Sequence, residues 1–207
     1  MKKLALLISL ILSASAVASY TYVITDEMDF FDLTLNSGQS LLMTGGGGGL
    51  LDLTWDSHAT IQGTAPYNQE IFPRGGIERI SASSYAHLDF SGGEVYEINM
   101  GNSVTAVLSG GEIKRLRTGQ TAWQWQYFPE PPVLIWNPHV EMIVKDWDYN
   151  TTSKILTGIW GNNSLFNIQL VNISGYSPTI DNIKFTIIPE PATLLLLSLG
   201  GLIIRKK

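Results

Sequence analysis

Cysteine is absent from this chain. No disulfide and no thiolate ligand or nucleophile is therefore available, and stability has to come from backbone pairing and apolar burial. Basic side chains are scarce. Thirteen Lys and Arg stand against eighteen Asp and Glu, and five of the thirteen are Lys2, Lys3, Arg205, Lys206 and Lys207 at the two ends. The body between is left with eight basic residues and a formal charge near −10. That balance excludes nucleic acid as a partner, because a phosphate backbone demands a basic surface, and it makes an anionic membrane surface a poor docking site. Histidine is rare too. His58, His87 and His139 show no zinc-ligand spacing, so no structural metal is expected. Asp56 and His58 would share one face of a strand, but no Gly-x-Ser-x-Gly or comparable nucleophile accompanies them. The sequence thus implies no catalytic residue, no metal and no cofactor.

What the chain does have is two unusual ends. Lys2 and Lys3 precede an apolar run from Leu4 to Leu12 and small residues ending in Ala16-Val17-Ala18. These are the parts of a secretory signal peptide, with cleavage after Ala18. At the other end Pro189-Glu190-Pro191 is followed by an uncharged, leucine-rich stretch from Ala192 to Ile204 and by Arg205-Lys206-Lys207. A helix over that stretch would span roughly 20 Å, against the ~30 Å of a bilayer's hydrocarbon core, which makes it a marginal anchor. The basic cluster acts as a stop and should stay cytoplasmic, leaving everything before Pro189 outside.

Pro189-Glu190-Pro191-Ala192-Thr193, the leucine run with Gly200-Gly201 and the closing basic cluster resemble the PEP-CTERM sorting signal of exported bacterial proteins. The resemblance covers only the tail. It implies recognition by an exosortase-type sorting enzyme, cleavage near the Pro-Glu-Pro, and delivery to the cell surface or an extracellular matrix rich in exopolysaccharide. It is an address, since such tails follow many different bodies.

The body carries a short repeat. Ser91-Gly92-Gly93-Glu94-Val95-Tyr96-Glu97-Ile98 recurs eighteen residues later as Ser109-Gly110-Gly111-Glu112-Ile113-Lys114-Arg115-Leu116, and Gly75-Gly76-Ile77-Glu78-Arg79-Ile80 is a worn copy. Ile77, Val95 and Ile113 form one apolar column; Ile80, Ile98 and Leu116 form another. A fixed period of strand-length pieces broken by Gly-Gly is what a β-solenoid requires, because each coil turns corners and stacks like on like. Ile98 is then expected inside and Glu97 outside in water. Alternation at Phe31, Leu33, Leu35 and at Leu51, Leu53, Trp55 extends the strand pattern toward the N-terminus, with Gly45 to Gly49 as a flexible corner or protruding loop. The body also resembles the β-helical repeats found in PEP-CTERM proteins.

Beyond Gln120 the texture changes. Trp123, Trp125 and Tyr127 alternate on one strand face with Trp136 close in sequence, and Pro129-Glu130-Pro131-Pro132 marks a break. These aromatics are candidates for stacking on sugar rings, though large aromatics more often close a core. Further strands are expected over 133–136, 140–144, 155–160, 165–173 and 183–188, with turns at 148–152 and 161–164. Asp146-x-Asp148-x-Asn150 opens like a calcium loop but lacks the glycine and the distal glutamate that complete one, so a polar turn is the better account. Glu94 and Glu112 occupy one column a coil apart, ~5 Å from each other, a spacing that could serve a polysaccharide-cleaving enzyme.

The fold expected is all-β: a short right-handed parallel β-helix of 18-residue coils over 19–128, then a small antiparallel β module over 129–188. A signal peptide over 1–18 and a sorting signal with a hydrophobic C-terminal helix over 189–207 flank it. The expected function is that of an exported surface or extracellular-matrix protein, structural or adhesive and not an enzyme, transiently anchored in the membrane by its C-terminal helix. A lyase or hydrolase acting on matrix polysaccharide is the alternative.

Overall fold

The structure, a computed structural model, describes residues 19–26, 28–66, 76–119 and 137–189. The signal-peptide positions Ala16 and Ala18, the aromatics Trp123, Trp125, Tyr127 and Trp136, and the tail from Glu190 and Pro191 to Arg205, Lys206 and Lys207 lie outside the described residues. Among the described residues no helix is long and apolar enough to cross a membrane.

Nearly all regular structure is β. The first ten strands alternate between long and short: β1 Tyr22–Ile24, β2 Asp29–Leu35, β3 Ser40–Met43, β4 Gly47–Leu53, β5 His58–Ile61, β6 Gly76–Ala82, β7 His87–Phe90, β8 Glu94–Met100, β9 Thr105–Leu108 and β10 Glu112–Thr118. The long strands β2, β4, β6, β8 and β10 stack as one parallel ladder, and β1, β3, β5, β7 and β9 stack as another. Four strands follow: β11 His139–Asn150, β12 Ile155–Trp160, β13 Leu165–Val171 and β14 Ile183–Ile187, the last preceded by a 3-10 turn at Thr179–Asn182. β11 adds in parallel to β9, runs antiparallel through β12 to β13, and β13 returns in parallel onto β10. One nearly closed sheet results, its two ladders joined at one end by β11, β12 and β13.

The register follows the apolar columns read from the sequence. Ile77 pairs with Val95 and Val95 with Ile113, while Ile80 pairs with Ile98 and Ile98 with Leu116. All six are buried. From the short strands Leu41, Ala59, Leu88 and Ala106, with Met43, Ile61, Phe90 and Leu108, meet them in one core. The step is nineteen residues where Tyr22 of β1 meets Leu41 of β3, and eighteen from β2 to β10 except once. His58 pairs with His87 and Gly47 with Gly76, because the segment between β5 and β6 adds eleven residues.

Strict alternation fails in the middle of each long strand. Phe31, Gly49, Glu78, Tyr96 and Lys114, one on each long strand, drop out of the pairing register. The chain turns a corner there, so two successive side chains face outward and the inward set is spaced three residues and then two, as at Ile77, Ile80 and Ala82.

Several local expectations need correction. The Gly45–Gly49 run does not protrude: Gly45 and Gly46 make the corner between β3 and β4, Gly46 at φ 70°, Gly45 to Gly48 are buried, and Gly47 begins β4. Gly48 pairs with Phe30, and a Cβ on it would lie 2.3 Å from the Phe30 ring. Trp55 does not continue the inward alternation of Leu51 and Leu53; it lies in the turn after β4 and is 62% exposed. Asp148 and Asn150 stand in β11 rather than in a turn, which occupies residues 151–154 instead.

Candidate functional site

Four places on this framework gather polar or aromatic groups. The first is the corner between a long strand and the next short one. Its backbone enters the left-handed region at Gly38, Trp55, Ser84, Tyr85 and Ser103. Bulky residues rarely adopt φ near +60°, a conformation that costs about 1–2 kcal/mol. Trp55 at φ 55° and Tyr85 at φ 66° nevertheless do, on successive coils of the same corner, and both are largely exposed. Neither is supported by membership of an apolar column. Within this corner Asp56 accepts hydrogen bonds from the Ser37 hydroxyl and the Gly38 amide, 2.5 and 3.1 Å away. The Ser37 contact is the main cause that holds its carboxyl below the usual range. Asp56 is thereby committed to the turn, and no hydrogen bond joins it to His58 among the described residues.

The second is Glu97, expected in open water. It is on the outer face, as its distance from Ile98 required, yet only 4% exposed. The corner position Tyr96 and the neighbouring coils explain this. Arg79 and Arg115 are its register partners below and above. Their guanidiniums approach at 3.8 and 3.0 Å, and Arg117 adds a third at 3.7 Å. On the same ladder Asp52 is partly buried, which pushes its carboxyl up, with a hydrogen bond from Ser81 acting the other way.

The third is a cleft of ≈ 1120 Å³ where the Gly-Gly corners meet the β12–β13 hairpin. Gly93, Gly111, Glu112, Lys114, Asn162 and Asn167 line it. Glu94 and Glu112 are indeed register partners. Glu112, however, is engaged by the Lys114 ammonium, and the described residues lining the cleft include no second acid. Trp160, fully buried and packed against the cleft residue Phe166 at 4.5 Å, donates its indole N–H to the Gly111 carbonyl at 3.0 Å.

The fourth place was invisible in the linear spacing. Outward from β5 and β7 stand His58, Thr60, His87 and Asp89, alternating with the buried Ala59, Ile61, Leu88 and Phe90. His58 Nε2 lies 3.0 Å from one Asp89 oxygen and His87 Nε2 lies 3.0 Å from the other. His139 shares their column but stands beyond Thr105.

The remaining candidates do not assemble a site. Asn150 Oδ1 accepts the Thr152 and Ser153 amides and caps the β11–β12 turn, while Asp146 Oδ1 accepts the amide of Trp147. Pro189, the last described residue, is exposed just after β14. Compared with known proteins, the chain matches no family model, no curated protein and no solved structure.

Proposed function

We propose that this protein is an exported surface or matrix scaffold that adheres to polysaccharide and does no chemistry on it. Its body is a short right-handed parallel β-helix, the two ladders being walls of the same coils, with β11, β12 and β13 as the module that ends the stack. The eighteen-residue register and the shared core support the coil, and parallel crossovers in one sheet are almost always right-handed. An open coil end would expose unpaired strand edges, which gives the terminal strands a capping role. Export rests on the two charged, apolar ends: a signal peptide removed after Ala18, and a tail at Pro189-Glu190-Pro191 handled by an exosortase-type enzyme before or after brief membrane anchoring.

The observation that carries the adhesive reading is the pair Trp55 and Tyr85. Two large aromatics are held in water on adjacent coils by a backbone that works against them. Aromatic faces kept rigid and exposed are suited to stacking on sugar rings, each worth about 1 kcal/mol. Against catalysis weighs the cleft, where the single lining acid is paired with Lys114 and a glycosidase needs two carboxylates with distinct environments.

Affinity electrophoresis or calorimetry with bacterial exopolysaccharide tests this. The exported form should bind, and Trp55→Ala with Tyr85→Ala together should weaken binding about tenfold or more, since two lost stacks of ~1 kcal/mol each exceed one decade. No reducing ends or unsaturated sugars should appear. Product release abolished by Glu112→Gln would establish the enzyme instead.

A further inference from the structure

We propose that His58, His87 and Asp89 form a binding site for a divalent transition-metal ion of the zinc type, laid across two neighbouring coils. The site goes beyond the scaffold reading and does not depend on it. Its geometry comes from the register. β5 and β7 pair His58 with His87 and Thr60 with Asp89, so the side chains share one outward face a single rung apart, about 4.8 Å. The ligand atoms of the two imidazoles and the carboxylate all lie within 4.8 Å of one another.

The donor set selects the ion. Two imidazole nitrogens with one carboxylate suit Zn2+ and its neighbours, whereas Mg2+ and Ca2+ prefer oxygen throughout. Around a tetrahedral Zn2+ with bonds near 2.0–2.2 Å, ligand atoms stand about 3.4 Å apart. Each imidazole nitrogen already faces the Asp89 carboxylate at 3.0 Å, on opposite oxygens, and side-chain rotation that brings the three ligand atoms, now within 4.8 Å of one another, to that separation would admit the ion. The rings meet edge to face, 4.7 Å apart at 80°, so neither blocks the other's approach. All three side chains are a third or more exposed, which gives an ion access and leaves a fourth position to water or to an outside ligand.

The location suggests what the ion would do. The chain takes its one eleven-residue detour between these two coils, so His58 and His87 are twenty-nine residues apart rather than eighteen. An ion held by one histidine from before the detour and two ligands from after it would pin the two neighbouring strands across that detour.

The test uses the untagged full-length chain after chelation. Titration with ZnCl2 should show one site per chain, unaffected by excess MgCl2. His87→Ala and Asp89→Asn should each weaken it at least about tenfold, since losing a ligand costs no less than losing a supporting contact, while His139→Ala should not. At a hundredfold excess over Kd, ZnCl2 should raise Tm by about 5–10 °C in the unaltered chain and not in Asp89→Asn. CoCl2 should give the visible absorption of low-coordinate, nitrogen-ligated cobalt in the unaltered chain, a readout that stands even where a variant fails to fold. Absence of that absorption and of zinc uptake at millimolar ion, or zinc binding equally tight in Asp89→Asn and His87→Ala, would overturn the proposal.

Discussion

At Glu97 one carboxylate gathers three guanidiniums, and this reverses the cost of losing it. An outward glutamate in water should tolerate alanine within about 0.5 kcal/mol. Glu97→Gln should instead lower stability by about 1–3 kcal/mol, less than a fully buried pair would lose because the arginines can partly regain water. Denaturant midpoints measure this, and a loss below 0.5 kcal/mol would mean that the arginines do not depend on the charge. Its neighbour Ile98 lies in the core, so Ile98→Asp should cost at least about 4 kcal/mol and leave little native protein at 37 °C. Asp52 offers a pH test. Burial, opposed in part by Ser81, holds its folded-state pKa above the unfolded value. Such a group stabilises fully below the unfolded pKa, and that contribution is lost as pH rises through the folded pKa. Asp52→Asn should therefore be neutral or stabilising at pH 7, with its advantage fading below about pH 4. An advantage that grows on acidification would contradict the assignment.

The corners between and within the strands decide which parts of them were legible. Gly111 turns at φ 80°, and a Cβ there would meet the Phe90 ring at 2.6 Å and the Gly93 carbonyl at 2.8 Å. Gly111→Ala should cost about 2–4 kcal/mol, combining left-handed strain with a clash that backbone cannot yield to, and thermal denaturation reads it directly. The Gly-Gly pairs announced this corner in the sequence, and the columns Ile77, Val95, Ile113 and Ile80, Ile98, Leu116 announced the register, because like stacks on like at a fixed period. The corner inside each long strand carries no such mark. Phe31, Gly49, Glu78, Tyr96 and Lys114 share no chemistry, so only the pairing reveals the bend that brings Glu97 under its arginines. The left-handed corner was equally silent, since Trp55 and Tyr85 occupy positions where glycine or asparagine would be the usual signal. His58, His87 and Asp89 escaped for a third reason: the detour before β6 replaces eighteen by twenty-nine, and a spacing rule applied along the chain cannot see a neighbour one coil away.

Among the described residues one hydrophobic core runs from Ile24 in β1 to Ile183 in β14, and the last strands share the sheet of the first. On the proposed β-helix reading such a stack would be stiff along its axis and repeat its outer faces at each rung, as the proposed spacer or adhesive role requires. With no cysteine in the chain, stability rests on this continuous ladder and the core beneath it. Export is the premise on which the adhesive role depends, and intact-mass analysis of the protein from surface and matrix fractions of a producing cell tests it most directly. A mature chain beginning at Ser19 and ending between Pro189 and Ala192 is the result expected; a full 207-residue chain confined to the cytoplasm would contradict the account.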